Sequence, residues 1–218
     1  MKRNLLEPFE HLPFFTLEGF KQMLDIGENE DRRARELLSR WGRRGHVLRL
    51  KKGVYMVRRF YEFHQGEVGF TPAVSAIIEP QSYLSLEYIL QRASVLTEIT
   101  YPVSAITLKN TKTIQNQVGA FVYRHVRADL YTGFVAHVYF GIVYHEASAA
   151  KALFDYLYLR PFPRAFRTHR IDLAEDLRLN VDEFSLEARA EFESFVTISQ
   201  SEKMAFILEN LRRTAWQL

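Results

Sequence analysis

Apolar residues fall at helical spacing in the first forty positions and then switch to short strand-like runs. Leu17, Phe20 and Leu24 lie three and four apart behind Thr16, which predicts a short helix capped by that threonine. Ala34, Leu37, Leu38 and Trp41 follow the i, i+3, i+4, i+7 rule, so a second helix is expected, with Asn29 as its N-cap and Glu30 and Asp31 in its first turn. Its outward face would then carry Arg32, Arg33, Glu36, Ser39, Arg40 and Arg43. Gly42 or Gly45 can end it, and His46 to Leu50 and Val54 to Arg58 read as two strands joined around Lys51, Lys52 and Gly53. Residues 60–70 show no period and hold two glycines, the pattern of a linker.

Beyond the linker the signals mix. Thr71 and Pro72 suit a helix start, Ser82 or Ser85 a second, and Tyr101 to Leu108 and Ala120 to Val126 read as strands. The clearest alternation runs from Phe134 to Tyr144 and predicts one long strand, with Phe134, Ala136, Val138, Phe140, Ile142 and Tyr144 on one face and His137 and His145 on the other. Ala147 to Leu159, Phe184 to Ile198 and Ser201 to Trp216 read as helices. The fold class expected is α+β: an N-terminal unit over residues 1–60, a linker over 61–70, and a larger mixed α/β unit over 71–218 with a helical C-terminal extension from about 161.

Charge changes this picture. Residues 1–59 hold 14 Lys and Arg against 8 Asp and Glu, while residues 60–218 hold 15 against 18, so +6 and −3 make up the chain's net +3. From Leu37 to Tyr61 there is no acid at all, and eight basic residues: Arg40, Arg43, Arg44, Arg49, Lys51, Lys52, Arg58 and Arg59. Helix, turn, helix and a cationic hairpin, in that order, make a winged helix-turn-helix, and the matching charge points to double-stranded DNA. The candidate DNA-binding residues are Arg32, Arg33, Ser39, Arg40, Arg43, Arg44, Arg49, Lys51 and Lys52, the helix reading bases and the lysines neutralising phosphates. A solvated charged face is the competing explanation. The unequal charge also implies two separable parts with different partners.

Composition narrows the remainder. A hydrophobic content of 47% and an aromatic content of 14% supply ample core, and the absence of cysteine excludes disulfides and thiolate chemistry and fits the cytoplasm. Glu7, Pro8, Glu10 and Pro13 interrupt any export signal, and the longest apolar run is too short to span a bilayer, so no membrane role is expected.

Three stretches together resemble the AbiEi family of antitoxins and transcriptional regulators from abortive-infection (type IV) toxin-antitoxin systems. They are the hairpin with Gly53, Val54 and Tyr55, the element Tyr83, Leu84, Ser85, and the helix with Lys151, Ala152 and Asp155, in that order over residues 12 to about 160. The chain departs from the family pattern at Tyr88, Ile89 and Leu90. The resemblance implies a repressor of its own operon, binding an operator with inverted repeats, whose larger part counters a nucleotidyltransferase-like toxin. A winged-helix regulator whose second part only dimerises or senses a ligand is the alternative.

No enzyme is expected. His145 and Glu146 lack the second histidine of a zinc-protease helix, and neither a glycine-rich phosphate loop nor a Gly-x-Ser-x-Gly elbow occurs. Neither cofactor nor metal is expected, although His125, His137 and His145 would be the ligands if strands brought them together. Lys151 and Asp155, four apart on a helix, suit a structural ion pair.

Overall fold

The computed structural model of the chain describes residues 5–27, 30–97, 102–161 and 172–216, and it is a mixed α+β structure with two sheets. Strand β1 (Phe15–Thr16) runs into α1 (Leu17–Met23), and the Thr16 hydroxyl accepts the Gly19 amide at 3.0 Å, the cap the sequence calls for. Helix α2 (Asp31–Arg43) has Glu30 as its N-cap, while Asn29 lies outside the described residues. Lys21, almost fully buried, joins the two helices through Asp31 at 2.5 Å. The α2 stripe is buried at Ala34 and Leu38, whereas Leu37 and Trp41 are half-buried at its border, Trp41 standing edge-on to Phe20 with ring centres 5.6 Å apart.

Gly45, not Gly42, ends α2. Its φ of +76° lets its own amide reach Gly42 O while the His46 amide returns to Trp41 O, a paired closure that turns the chain into β2 (Val47–Lys51). Strand β3 (Val54–Val57) returns antiparallel to β2, and β1 adds to its other edge, giving the order β1-β3-β2. One face of this sheet packs Val47 and Val57 against Phe20, Ala34 and Leu38. The other face differs. Leu48, Leu50, Val54 and Met56 are buried with Phe70, Val74, Ile77, Ala105, Phe121 and Tyr123, so the core under the hairpin continues into the rest of the chain.

The stretch read as a linker is helical at both ends, with turns over residues 65–69 between. Helix α3 (Arg58–His64) follows β3 directly, with Phe60 buried and the His64 ring 4.2 Å from it. Helix α4 (Phe70–Ile78) begins at Gly69, two residues before the Thr71 start expected from sequence. A side chain at Gly69 would put a Cβ 2.6 Å from the Tyr139 ring, which requires glycine there.

A six-stranded mixed sheet organises the larger part, formed by β4 (Ser82–Leu84), β5 (Val103–Thr107), β6 (Lys112–Gln115), β7 (Ala120–His125), β8 (Phe134–Tyr139) and β9 (Ile142–Ala147), with α5 (Leu86–Arg92) between β4 and β5. The order is β6-β7-β5-β4-β9-β8, with β5 parallel to β7 and β4 parallel to β9. Ala105, Phe121 and Tyr123 join the cluster of α4 and the hairpin; Ile106 joins that of α6 (Ala149–Leu159), α8 (Leu186–Ser199) and α9 (Glu202–Thr214). The short α7 (Leu173–Asp176) precedes α8, and buried Trp216 donates through Nε1 to Val181 O at 2.9 Å.

The long strand expected from Phe134 to Tyr144 is instead a hairpin. Phe140 (φ +47°) and Gly141 (φ +76°) make a two-residue turn, and residues facing each other across it share a face. Ala136 therefore pairs with His145, and His137 with Tyr144, so the two histidines lie on opposite faces.

Two of the sequence motifs meet inside this core. Asp155 on α6 accepts Tyr83 OH at 2.9 Å and Ser85 Oγ at 2.8 Å on one oxygen and Lys151 Nζ at 2.5 Å on the other. All four residues are fully buried, and the Lys151 ammonium also lies 5.0–5.6 Å from the ring centres of Phe154, Phe195 and Tyr83. Burial works against both charges, lowering Lys151 and raising Asp155 from their ordinary values.

Candidate nucleic-acid interface

The outer face of α2 displays Arg32, Arg33, Ser39, Arg40 and Arg43, all exposed, together with Arg35 and Glu36. Three of the arginines are held by neighbours: Arg32 by Glu36 at 3.2 Å, Arg33 by Glu30 at 3.3 Å and Arg35 by Asp31 at 3.1 Å. Exposed pairs of this kind contribute about 0–1 kcal/mol, so a phosphate can displace them at little cost. Arg40, Arg43 and Arg44 are exposed and make no ion pair among the described residues. Arg44 sits at the C-terminal end of α2, where cations suit the helix dipole.

The hairpin presents fewer cations than its sequence promises. Lys52 is exposed at the tip, where Gly53 (φ +76°) closes the turn, and Arg49 is exposed on β2 with its Nε donating to Lys51 O at 3.4 Å. A bulge between Arg49 and Lys51 redirects the strand at this point. Lys51 points the other way. Its ammonium donates to Ile78 O at 2.9 Å, at the C-terminal end of α4, and burial lowers its pKa. Against the sequence-based expectation, Lys51 ties the hairpin to the larger part of the chain and is not set out with Arg49 and Lys52.

Next to that contact lies Glu79, almost fully buried and gripped by Lys109 at 2.8 Å and Lys112 at 2.6 Å. Burial pushes its carboxyl upward, but the two lysine hydrogen bonds and charges outweigh it, and the net pKa falls below the ordinary 4.5. A depressed carboxyl stabilises the fold fully above its unfolded value and loses that contribution as pH drops through the folded one. Glu79→Gln is therefore expected to flatten the acid limb of the stability curve below pH 4.5, measured by urea melts across that range. Parallel acid limbs for the two proteins would remove Glu79 from the account.

Between α2, the hairpin and the β6–β7 turn runs an open channel of about 460 Å³, bordered by Arg35, Ser39, Arg43, Arg49, Tyr55 and the turn residues Gln115 to Gln117. Tyr55 stacks on Phe15 on one side and is half-buried on the channel floor. Sequence reasoning missed the turn. Its signal was present in the polar alternation of β6 and in Asn116 and Gly119, whose backbones bond across the turn at 3.0 Å.

The histidines do not gather. His125 lies on β7, three strand positions from β9 and so roughly 14 Å away, and no cluster of three potential metal ligands occurs among the described residues. Among those residues no helix is long and apolar enough to cross a membrane. No protein-family model matches the chain, and a search of curated proteins finds no match.

Proposed function

We propose that the chain is a DNA-binding transcriptional regulator, its first sixty residues acting as a winged helix-turn-helix in which α2 reads the major groove and the β2–β3 hairpin is the wing. One observation carries the reading: Arg40 and Arg43 stand exposed on the same helix face as Ser39, without ion-pair partners among the described residues, and Arg43 borders one channel with Arg49 of the hairpin. The larger part then fits the AbiEi-like antitoxin role that the Tyr83, Ser85, Lys151 and Asp155 motifs resemble, countering a nucleotidyltransferase-like toxin. The meeting of those motifs in one buried cluster accounts for them as determinants of the fold, which supports the resemblance in structure more than in activity.

Each lysine or arginine in contact with a phosphate contributes about one unit to the slope of log affinity against log salt. Replacing both Arg40 and Arg43 by Ala should flatten that slope by about two units, whereas Lys51→Ala should leave it unchanged because its ammonium is engaged with Ile78 O. Duplex affinity that does not vary with salt would sink the assignment. For the antitoxin role the readout is survival of cells co-expressing the chain with a nucleotidyltransferase-like toxin encoded beside it.

A ligand-sensing regulator is the second reading, favoured by a cavity of about 390 Å³ between α5, β5, β7 and the end of α6. Arg124 and Arg160 border it with Glu87, Ser104 and Tyr156, a mixed lining suited to a small polar ligand that carries an anionic group.

A further inference from the structure

We propose that the β6–β7 turn is a third DNA-contacting element, in which Gln115 and Gln117 donate to the sugar-phosphate strand seated in the channel between α2 and the hairpin. The inference rests on the duplex-binding reading above and adds a contact from outside the helix-turn-helix.

A duplex carries a ridge of phosphates between its major and minor grooves. A helix in one groove and a hairpin over the next leave that ridge between them, and here the space between α2 and the hairpin is the channel bordered by Arg43 and Arg49. The far wall is the turn. Ile114 and Val118 pack inward against the hairpin core, and the intervening alternation leaves Gln115 and Gln117 exposed on the channel side, their side chains with no hydrogen-bond partner among the described residues. Asn116, between them, is fully engaged. Its Oδ1 accepts the Val118 amide at 2.8 Å and the Gly119 amide at 3.1 Å, and its Nδ2 donates to Leu50 O on β2 at 3.0 Å. The turn is therefore bolted to the hairpin, and the backbone that carries the two glutamines is held in place before any ligand arrives, so the ordering cost of binding falls on their side chains alone. None of the residues bordering the channel is acidic. Glutamine amides are ordinary phosphate donors, and being neutral they displace no counterions.

The test uses the full chain and a labelled duplex of mixed sequence about two helical turns long. Replacing Gln115 and Gln117 together by Ala should weaken binding by about fivefold per side chain while leaving the salt slope unchanged. Glutamates at the same two positions should weaken it further through repulsion. Arg40→Ala with Arg43→Ala is the control. If that control weakens binding and the alanine pair binds like the native chain, the turn is not a contact and the proposal falls while the helix assignment stands. If the native chain binds no duplex at all, both fall. Circular dichroism of the glutamine variants should match the native spectrum, because both side chains are exposed.

Discussion

Lys151→Met is expected to destabilise the protein by about 3–5 kcal/mol, because it leaves the Asp155 carboxylate buried without its cation. That is a large share of the roughly 5–15 kcal/mol that holds an ordinary domain. The size follows from the surroundings: Asp155 and Lys151 are both fully buried, and burial lowers the lysine and raises the aspartate. The two hydroxyl donors, Tyr83 and Ser85, reduce the cost but supply no charge. Adding Asp155→Leu to Lys151→Met should recover part of the loss, since the uncompensated charge goes. Recovery should be incomplete, because Tyr83 OH and Ser85 Oγ would then lack an acceptor, at about 1–3 kcal/mol for each buried group. Urea melts of the two single variants and the double measure the coupling directly. A cost for Lys151→Met below about 1 kcal/mol would mean that the cluster is wetter and weaker than its geometry implies.

Removing the N-terminal part should be as damaging. The charge division reads as two separable units, and a fragment beginning at Gly69 would be expected to fold alone on that basis. The hairpin core says otherwise. Without Leu48, Leu50, Val54, Met56 and Phe60, the fragment exposes Phe70, Val74, Ile77, Phe121 and Tyr123 to water. Each such side chain is worth about 1.5–3 kcal/mol on full burial, so the loss reaches the scale of the whole stability. The fragment should be aggregated or bind a hydrophobic dye, and should lack a cooperative melt. A soluble, cooperatively melting fragment would show that the charge division marks a true structural boundary.

What could be read from the sequence was what local spacing controls. Thr16 capping α1, the Ala34 and Leu38 stripe of α2, the strands around Gly53 and the final helices α8 and α9 all follow from residues within one or two turns of each other. The misses share a different cause. The turn at Phe140 and Gly141 interrupts an alternation that runs on in phase by sequence, and no polar turn residue marks the break. Helix α3 has no acid in its first turn and no side-chain cap, and it is held by burial of Phe60. Lys51 looks like any hairpin-tip lysine until Ile78 O, 27 positions away, is placed beside it. The pairing of Lys151 with Asp155 was visible as a helical repeat, but Tyr83 and Ser85 join it only through the folding of segments some seventy residues apart. Of the candidate interface, the face of α2 was legible; the channel was not, because one of its walls comes from the larger sheet.

The hairpin's double burial also sets how freely the protein can vary. Most antiparallel ribbons keep one face wet, where residues drift at little cost. Here Val47 and Val57 are committed to one core and Leu48, Leu50, Val54 and Met56 to another, and the Leu50 carbonyl and the Lys51 ammonium are committed to the larger part. Arg49 and Lys52 are the exposed side chains left on these two strands and their turn. Relatives of this chain that diverge in what they bind should therefore differ along the outer face of α2 and hold β2 and β3 nearly constant.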